Sequence, residues 1–103
     1  GSKIAPIFSS MPVVKEDLAF VFESKIQSFA VIKTIQESAG SLLEEVRLFD
    51  VYQGANLGEG KKSLAFNLRF RAPNRTLETE EISSMRSKVI QAVAKSHGGV
   101  LRA

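Results

Sequence analysis

The sequence predicts an α+β sandwich, with one four-stranded antiparallel sheet carrying two helices on a single face. Three observations support this. Period-two and helical segments follow one another in the order strand, helix, strand, strand, helix, strand. The most regular strand pattern sets Leu64, Phe66, Leu68 and Phe70 on one face and Ser63, Ala65, Asn67, Arg69 and Arg71 on the other, so one face is core and one is wet. Each helix stands between two strands, and the two crossovers bring both helices to the same side of the sheet. This is the ferredoxin-like βαββαβ arrangement, which leaves the second sheet face open.

Residues 1–16 contain Pro6 and Pro12 without a sustained period and read as an extended lead-in, with Gly1-Ser2 as the remnant of a cleaved expression tag. The domain proper is expected over 17–103. Asp17 to Glu23 reads as a strand because Leu18, Phe20 and Phe22 alternate with Ala19 and Val21. Ser28 can accept hydrogen bonds from first-turn amides, and Phe29, Ile32, Ile35 and Ala39 follow at helical spacing up to Gly40. Glu45 to Tyr52 and Lys61 to Arg71 read as a hairpin joined by a flexible glycine-rich connection over 54–60. Pro73-Asn74 turns the chain, Thr79 offers a cap, and Glu80 and Glu81 suit the positive end of a helix striped by Ile82, Met85, Val89 and Val93. Gly98-Gly99 ends that helix, and Val100-Leu101-Arg102 forms a last short strand.

A chain of 103 residues with 44% hydrophobic and 24% charged residues has the make-up of one compact domain. Without cysteine it has no disulfide, thiolate nucleophile or cysteine-ligated metal, which fits a cytoplasmic origin. The longest apolar run, Leu18 to Phe22, is far shorter than the roughly 20 residues of a bilayer-spanning helix. Net charge is only +3, but between Arg47 and Arg75 six basic residues face two acidic ones. That segment forms either a positive docking surface or a solubilising face.

Strand parity gives the open face its chemistry. Turning Phe49 and Val51 toward the helices sends Asp50 and Tyr52 outward beside Ser63, and turning Leu18, Phe20 and Phe22 inward sends Ala19 outward. An aromatic plane, a carboxylate, a hydroxyl and a small residue together suit a planar base. The competing readings are a rim residue for Tyr52, and for Asp50 an acceptor for turn amides or a partner for a nearby arginine. His97, the only histidine, falls in the last helical turn, where it reads as structural. Gly58-Glu59-Gly60-Lys61 lacks the glycine spacing of a phosphate loop and joins two strands. Glu80 and Glu81 project in different directions. No catalytic constellation and no metal site are expected.

Four ordered segments carry a resemblance: Pro12 to Phe20 (PVVKEDLAF), Leu48 to Tyr52 (LFDVY), Gly58 to Phe66 (GEGKKSLAF) and Arg71 to Leu77 (RAPNRTL). They resemble the ferredoxin-fold anticodon-binding domain of phenylalanyl-tRNA synthetase β subunits, over roughly Phe8 to Arg102. The resemblance implies a parent class II ligase of two α and two β subunits, dependent on ATP and magnesium and cytoplasmic. The chemistry resides elsewhere, so this domain itself needs no cofactor. It also implies that the partner is the anticodon stem-loop of tRNA(Phe), whose first anticodon base, a guanine, stacks on Tyr52 while Asp50 contacts its edge, with Ser63 and Ala19 lining the same site. Lys61, Lys62, Arg69 and Arg71 are the expected contacts to the RNA backbone. One departure stands out: the family commonly has a basic residue just before the Asp-Leu-Ala segment, and here it is Glu16, with Lys15 one place earlier. A phosphate contact at that position would be lost or shifted. The isolated domain is expected to be monomeric and not membrane-bound. The alternatives are a small-molecule regulatory module on the same fold, or a general single-stranded RNA binder, whose usual aromatic pair on the central strands is replaced here by Ser63, Ala65 and Asn67.

Overall fold

The computed structural model describes residues 11–103. The expected tag remnant and most of the expected lead-in lie outside the described residues. The elements are β1 (Val14–Glu23), α1 (Ser28–Ala39), β2 (Leu43–Tyr52), a 3-10 turn (Ala55–Leu57), β3 (Lys61–Phe70), α2 (Thr79–His97) and β4 (Val100–Leu101). The strands form one antiparallel sheet in the order β2-β3-β1-β4, the predicted ferredoxin-like βαββαβ fold. β1 begins at Val14, three residues before the predicted start, because Val14, Lys15 and Glu16 continue the ladder against Phe70, Arg69 and Leu68.

The core follows from the alternation in the two central strands. Leu18, Phe20 and Phe22 from β1 and Leu64, Phe66, Leu68 and Phe70 from β3 are at most 1% exposed, and the helices cover them with Val31, Ile35, Val89 and Val93. Removing each such side chain from water contributes about 1.5–3 kcal/mol. The predicted stripe on α2 is the buried one, whereas that on α1 is rotated. Val31, Ile35 and Ala39 face the sheet, and Phe29 is 74% exposed. Phe29 matches the spacing of Ile32, yet it lies about 200° around the helix from Val31, which packs most deeply.

Helix starts also differ from the reading of single residues. Gln27, not Ser28, precedes α1, and Glu78, not Thr79, is the N-cap of α2. The Glu78 amide donates to Glu81 Oε1 at 3.0 Å, and Arg75 grips the same carboxylate with two donors at 2.7 and 2.8 Å. These donors, Arg75 first and the Glu78 amide second, hold the Glu81 carboxyl at about 2, below its ordinary 4.5. His97 shares a 2.8 Å hydrogen bond with Thr34 Oγ1 and so ties α2 to α1. At the end of α2 the chain passes so close to the core that a Cβ on Gly99 would lie 2.5 Å from Phe22 and 2.7 Å from Val93.

Candidate functional site

The open face takes its form from the register. Antiparallel partners share a face, so Ala19 with Ala65 and Val21 with Ser63 lie outward, alternating with Leu18, Phe20 and Phe22, which point in. On β3 the same face carries Ser63, Ala65, Asn67 and Arg69. Unbroken alternation on β2 would fail to match. With Val46 and Leu48 inward opposite Leu68 and Phe66, strict parity would send Asp50 and Tyr52 into the core.

A β-bulge between Leu48 and Asp50 removes the conflict. Beyond it Asp50 pairs with Ala65 and Tyr52 with Ser63, both on the open face, while Val51 opposite Leu64 points to the helix side. Ala19, Asp50, Tyr52 and Ser63 therefore come to one surface, as expected. Phe49 does not follow expectation. It sits at the bulge, is 51% exposed, and lines a shallow depression on the open face with Lys15, Asp17, Arg47, Asn67 and Arg69. The sequence holds a sign of this in Val46, Leu48 and Val51, whose spacing changes from two to three.

The Tyr52 ring is held from two directions. Its hydroxyl donates to Asn56 Oδ1 at 2.7 Å, within the connection after β2 where Ala55–Leu57 form the 3-10 turn. Gly54 makes room for it: a Cβ there would come within 2.7 Å of the ring carbon Cζ. The ring's neighbour Ser63 is only 3% exposed. The guanidinium of Arg102, a residue that the sequence does not single out, lies 5.1 Å from the centroid of the Tyr52 ring. Its placement depends on β4 pairing with β1, which no local pattern announces.

The expected backbone contacts fall in different environments. Arg69 faces outward and approaches Glu45 at 3.8 Å. Arg71 is engaged by both oxygens of Glu44, at 2.8 and 3.3 Å, and by the Met11 carbonyl at 3.2 Å, a brace between β2, β3 and the chain before β1. Lys61 is exposed, whereas Lys62 pairs with Phe22 and so lies on the helix side. Glu16 is also on that side and meets Arg86 at 3.3 Å, which removes it from the open face. At the end of the face away from Tyr52, Lys15, Arg47 and Arg69 surround an Asn67–Asp17 hydrogen bond of 2.8 Å. Among the described residues there is no group of three His, Cys, Asp or Glu able to hold a metal ion, and no helix long and apolar enough to cross a membrane.

An aromatic plane over small residues, with a carboxylate beside it and cations farther along, can stack a heterocyclic base and hold the phosphates that follow it. Comparison with known proteins agrees in kind. The family profile described as "Ferredoxin-fold anticodon binding domain" matches residues 9–102. The phenylalanine-tRNA ligase beta subunit of Corynebacterium jeikeium is 47% identical over 98 residues, covering 95% of this chain and 12% of that protein. The beta subunit of Thermobifida fusca is 46% identical over the same shares, and that of Geobacillus kaustophilus 44% identical over 88% of this chain and 11% of its own length. The chain thus spans about an eighth of the relatives that it matches. With its fold, its match over residues 9–102 and these relatives in agreement, the chain belongs to the ferredoxin-fold anticodon-binding domain family of phenylalanine-tRNA ligase beta subunits.

Proposed function

We propose that this domain binds the anticodon stem-loop of tRNA(Phe) on its open sheet face and reads the first anticodon base there. The observation that carries the proposal is the β2 bulge, which brings Asp50 and Tyr52 onto the face where Ala19 and Ser63 already lie. The base stacks on Tyr52, Asp50 accepts hydrogen bonds from its edge, Ser63 offers a hydroxyl, and Ala19 leaves room for the ring. Arg69, with Arg47 and Lys15, contacts phosphates along the strand leading away from that base, and Lys61 contacts the backbone beside it. Arg71 acts from the margin of the face through its brace to Glu44, whereas Lys62, on the helix side, lies outside it.

The domain performs no chemistry in this reading. It supports a parent class II ligase of two α and two β subunits, which uses ATP and magnesium elsewhere to join phenylalanine to its tRNA in the cytoplasm. A small-molecule sensor on this fold would bind its ligand at a dimer interface or loop, and ligand-induced thermal stabilisation in an amino-acid screen would favour that reading instead.

The test is binding of the 103-residue chain to an anticodon stem-loop of tRNA(Phe), beside one with the first anticodon guanine replaced, at one fixed moderate salt concentration. A preference for guanine of about tenfold or more supports base readout. Equal binding would reduce the face to a charged docking surface.

A further inference from the structure

Arg102 stands in the same row of the sheet as the carboxylate assigned to the base. Across the strands that row runs Asp50 on β2, Ala65 on β3, Ala19 on β1 and Arg102 just beyond β4. The Arg102 amide donates to the Ala19 carbonyl at 2.7 Å, and the Ala19 amide donates to the Ala103 carbonyl at 2.7 Å, which fixes the start of the arginine side chain beside Ala19. Val100 pairs with the outward Val21 and Leu101 with the inward Phe20, so alternation sends Arg102 outward. Its guanidinium crosses the open face to lie 5.1 Å from the Tyr52 centroid. Among the described residues no ion pair or hydrogen bond engages that side chain, and its N–H donors remain available.

The row therefore has an acceptor at one edge, a donor fork at the other, and two alanines between them, over three strand spacings or about 14 Å. Guanine matches that polarity. Its N1–H and 2-amino group lie on one edge, and its O6 and N7 acceptors lie together on another. Adenine places a donor next to its N7 and would set an N–H against the fork.

We propose that Arg102 is a specificity-determining residue of this domain, donating to O6 and N7 of the guanine that Tyr52 stacks and Asp50 holds by its N1–H and 2-amino edge. The proposal rests on the reading that the Tyr52 ring receives a guanine. In the free domain the guanidinium covers the ring. A cation over an exposed ring is held more weakly than a stacked base, so the base takes the ring and the guanidinium moves to its edge, still tethered at Ala19. Arginine serves here because its planar fork meets two acceptors at once, which the point charge of lysine does not.

The experiment measures binding of the 103-residue chain and its Arg102→Ala, Arg102→Lys and Tyr52→Ala variants to stem-loops whose first anticodon base is guanine, 7-deazaguanine or adenine. NMR titration extends the range to weak complexes. The unaltered chain should lose about tenfold in affinity when N7 is replaced by C–H. Arg102→Ala should bind guanine about tenfold more weakly and no longer distinguish it from 7-deazaguanine, and Arg102→Lys should recover only part of the affinity. Equal unfolding midpoints show that β4 is intact. If guanine preference and dependence on Tyr52 hold while Arg102→Ala keeps its sensitivity to N7, the role of Arg102 is overturned and the base-reading face stands. Tighter binding by Arg102→Ala would make the arginine a competitor of the base and would equally overturn it. No guanine preference in the unaltered chain, or no shift of Tyr52 and Arg102 signals at saturating RNA, overturns both.

Discussion

The two faces of this sheet are made by the same strands and obey different demands. On the helix side Phe20, Phe22, Phe66 and Phe70 are fully buried, and their value lies in apolar area removed from water. On the open side the aromatics are Phe49, 51% exposed, and Tyr52, 37% exposed, and only Ser63 is buried. An aromatic residue left half in water contributes less to folding than a buried one. The bulge in β2 lies where the two demands meet. It keeps Val46 and Leu48 in the core while freeing Phe49, Asp50 and Tyr52 for the surface.

The largest contrast should come from truncating one phenylalanine on each side. Phe66→Ala leaves a cavity in the central strand and should destabilise the domain by about 3–5 kcal/mol in denaturant unfolding. Phe49→Ala should change stability by less than about 0.5 kcal/mol, as for a surface substitution. Comparable losses would mean that Phe49 is core and that the bulge is misread.

Next in size is Tyr52→Ala. A stacked base contributes about 1–3 kcal/mol, so affinity for the stem-loop should fall by about ten- to a hundredfold while the unfolding midpoint holds. Gly54→Ala approaches the same ring from beneath. Its backbone is extended, with φ of −170°, and suits any residue, so the effect is to push Tyr52 off its seat near Asn56. A several-fold loss of RNA affinity without loss of stability is expected. A stability loss instead would show that the glycine serves the fold.

The cations of the open face, Arg47 at the end away from Tyr52 and Lys61 at the Tyr52 end, should act without regard to sequence. Arg47→Ala or Lys61→Ala should weaken guanine and substituted stem-loops alike, and each lost phosphate contact should reduce the slope of log affinity against log salt by about 0.7–0.9. A change confined to one base would place that residue in base readout.

The smallest effect is one of pH and belongs to the helix side. Because the folded Glu81 carboxyl sits near 2 rather than 4.5, its ionised form favours the fold above 4.5, and that contribution fades as pH falls toward 2. The stability gap between the unaltered chain and Glu81→Gln should be present at neutral pH and close over that acid range. A gap independent of pH would show that the Arg75 clamp is not what matters.

Much of the fold was legible because β1 and β3 alternate without interruption, and because Ile82, Met85, Val89 and Val93 keep one phase on α2. What escaped has physical causes. α1 carries apolar residues on more than one side, so spacing alone did not decide between Phe29 and Val31. A bulge adds one residue to a strand, and Phe49 was assigned by a parity that the bulge breaks. Parity taken from Phe49 and Val51 together sends Asp50 and Tyr52 outward, and of those two references only Val51, on the far side of the bulge, points to the helix side. Arg102 depends on pairing between strands about eighty residues apart in the chain, and Glu16 on a contact with Arg86 in another element. Local pattern carries no information about either.

The most direct test of the central claim is an NMR titration of this domain with the guanine-containing anticodon stem-loop, following the sole tyrosine and the amides of all four strands. The account predicts shifts concentrated at Ala19, Asp50, Tyr52, Ser63 and Arg102, with the outward surfaces of α1 and α2 unchanged. Shifts centred on the helices, with the Tyr52 ring unmoved, would contradict it.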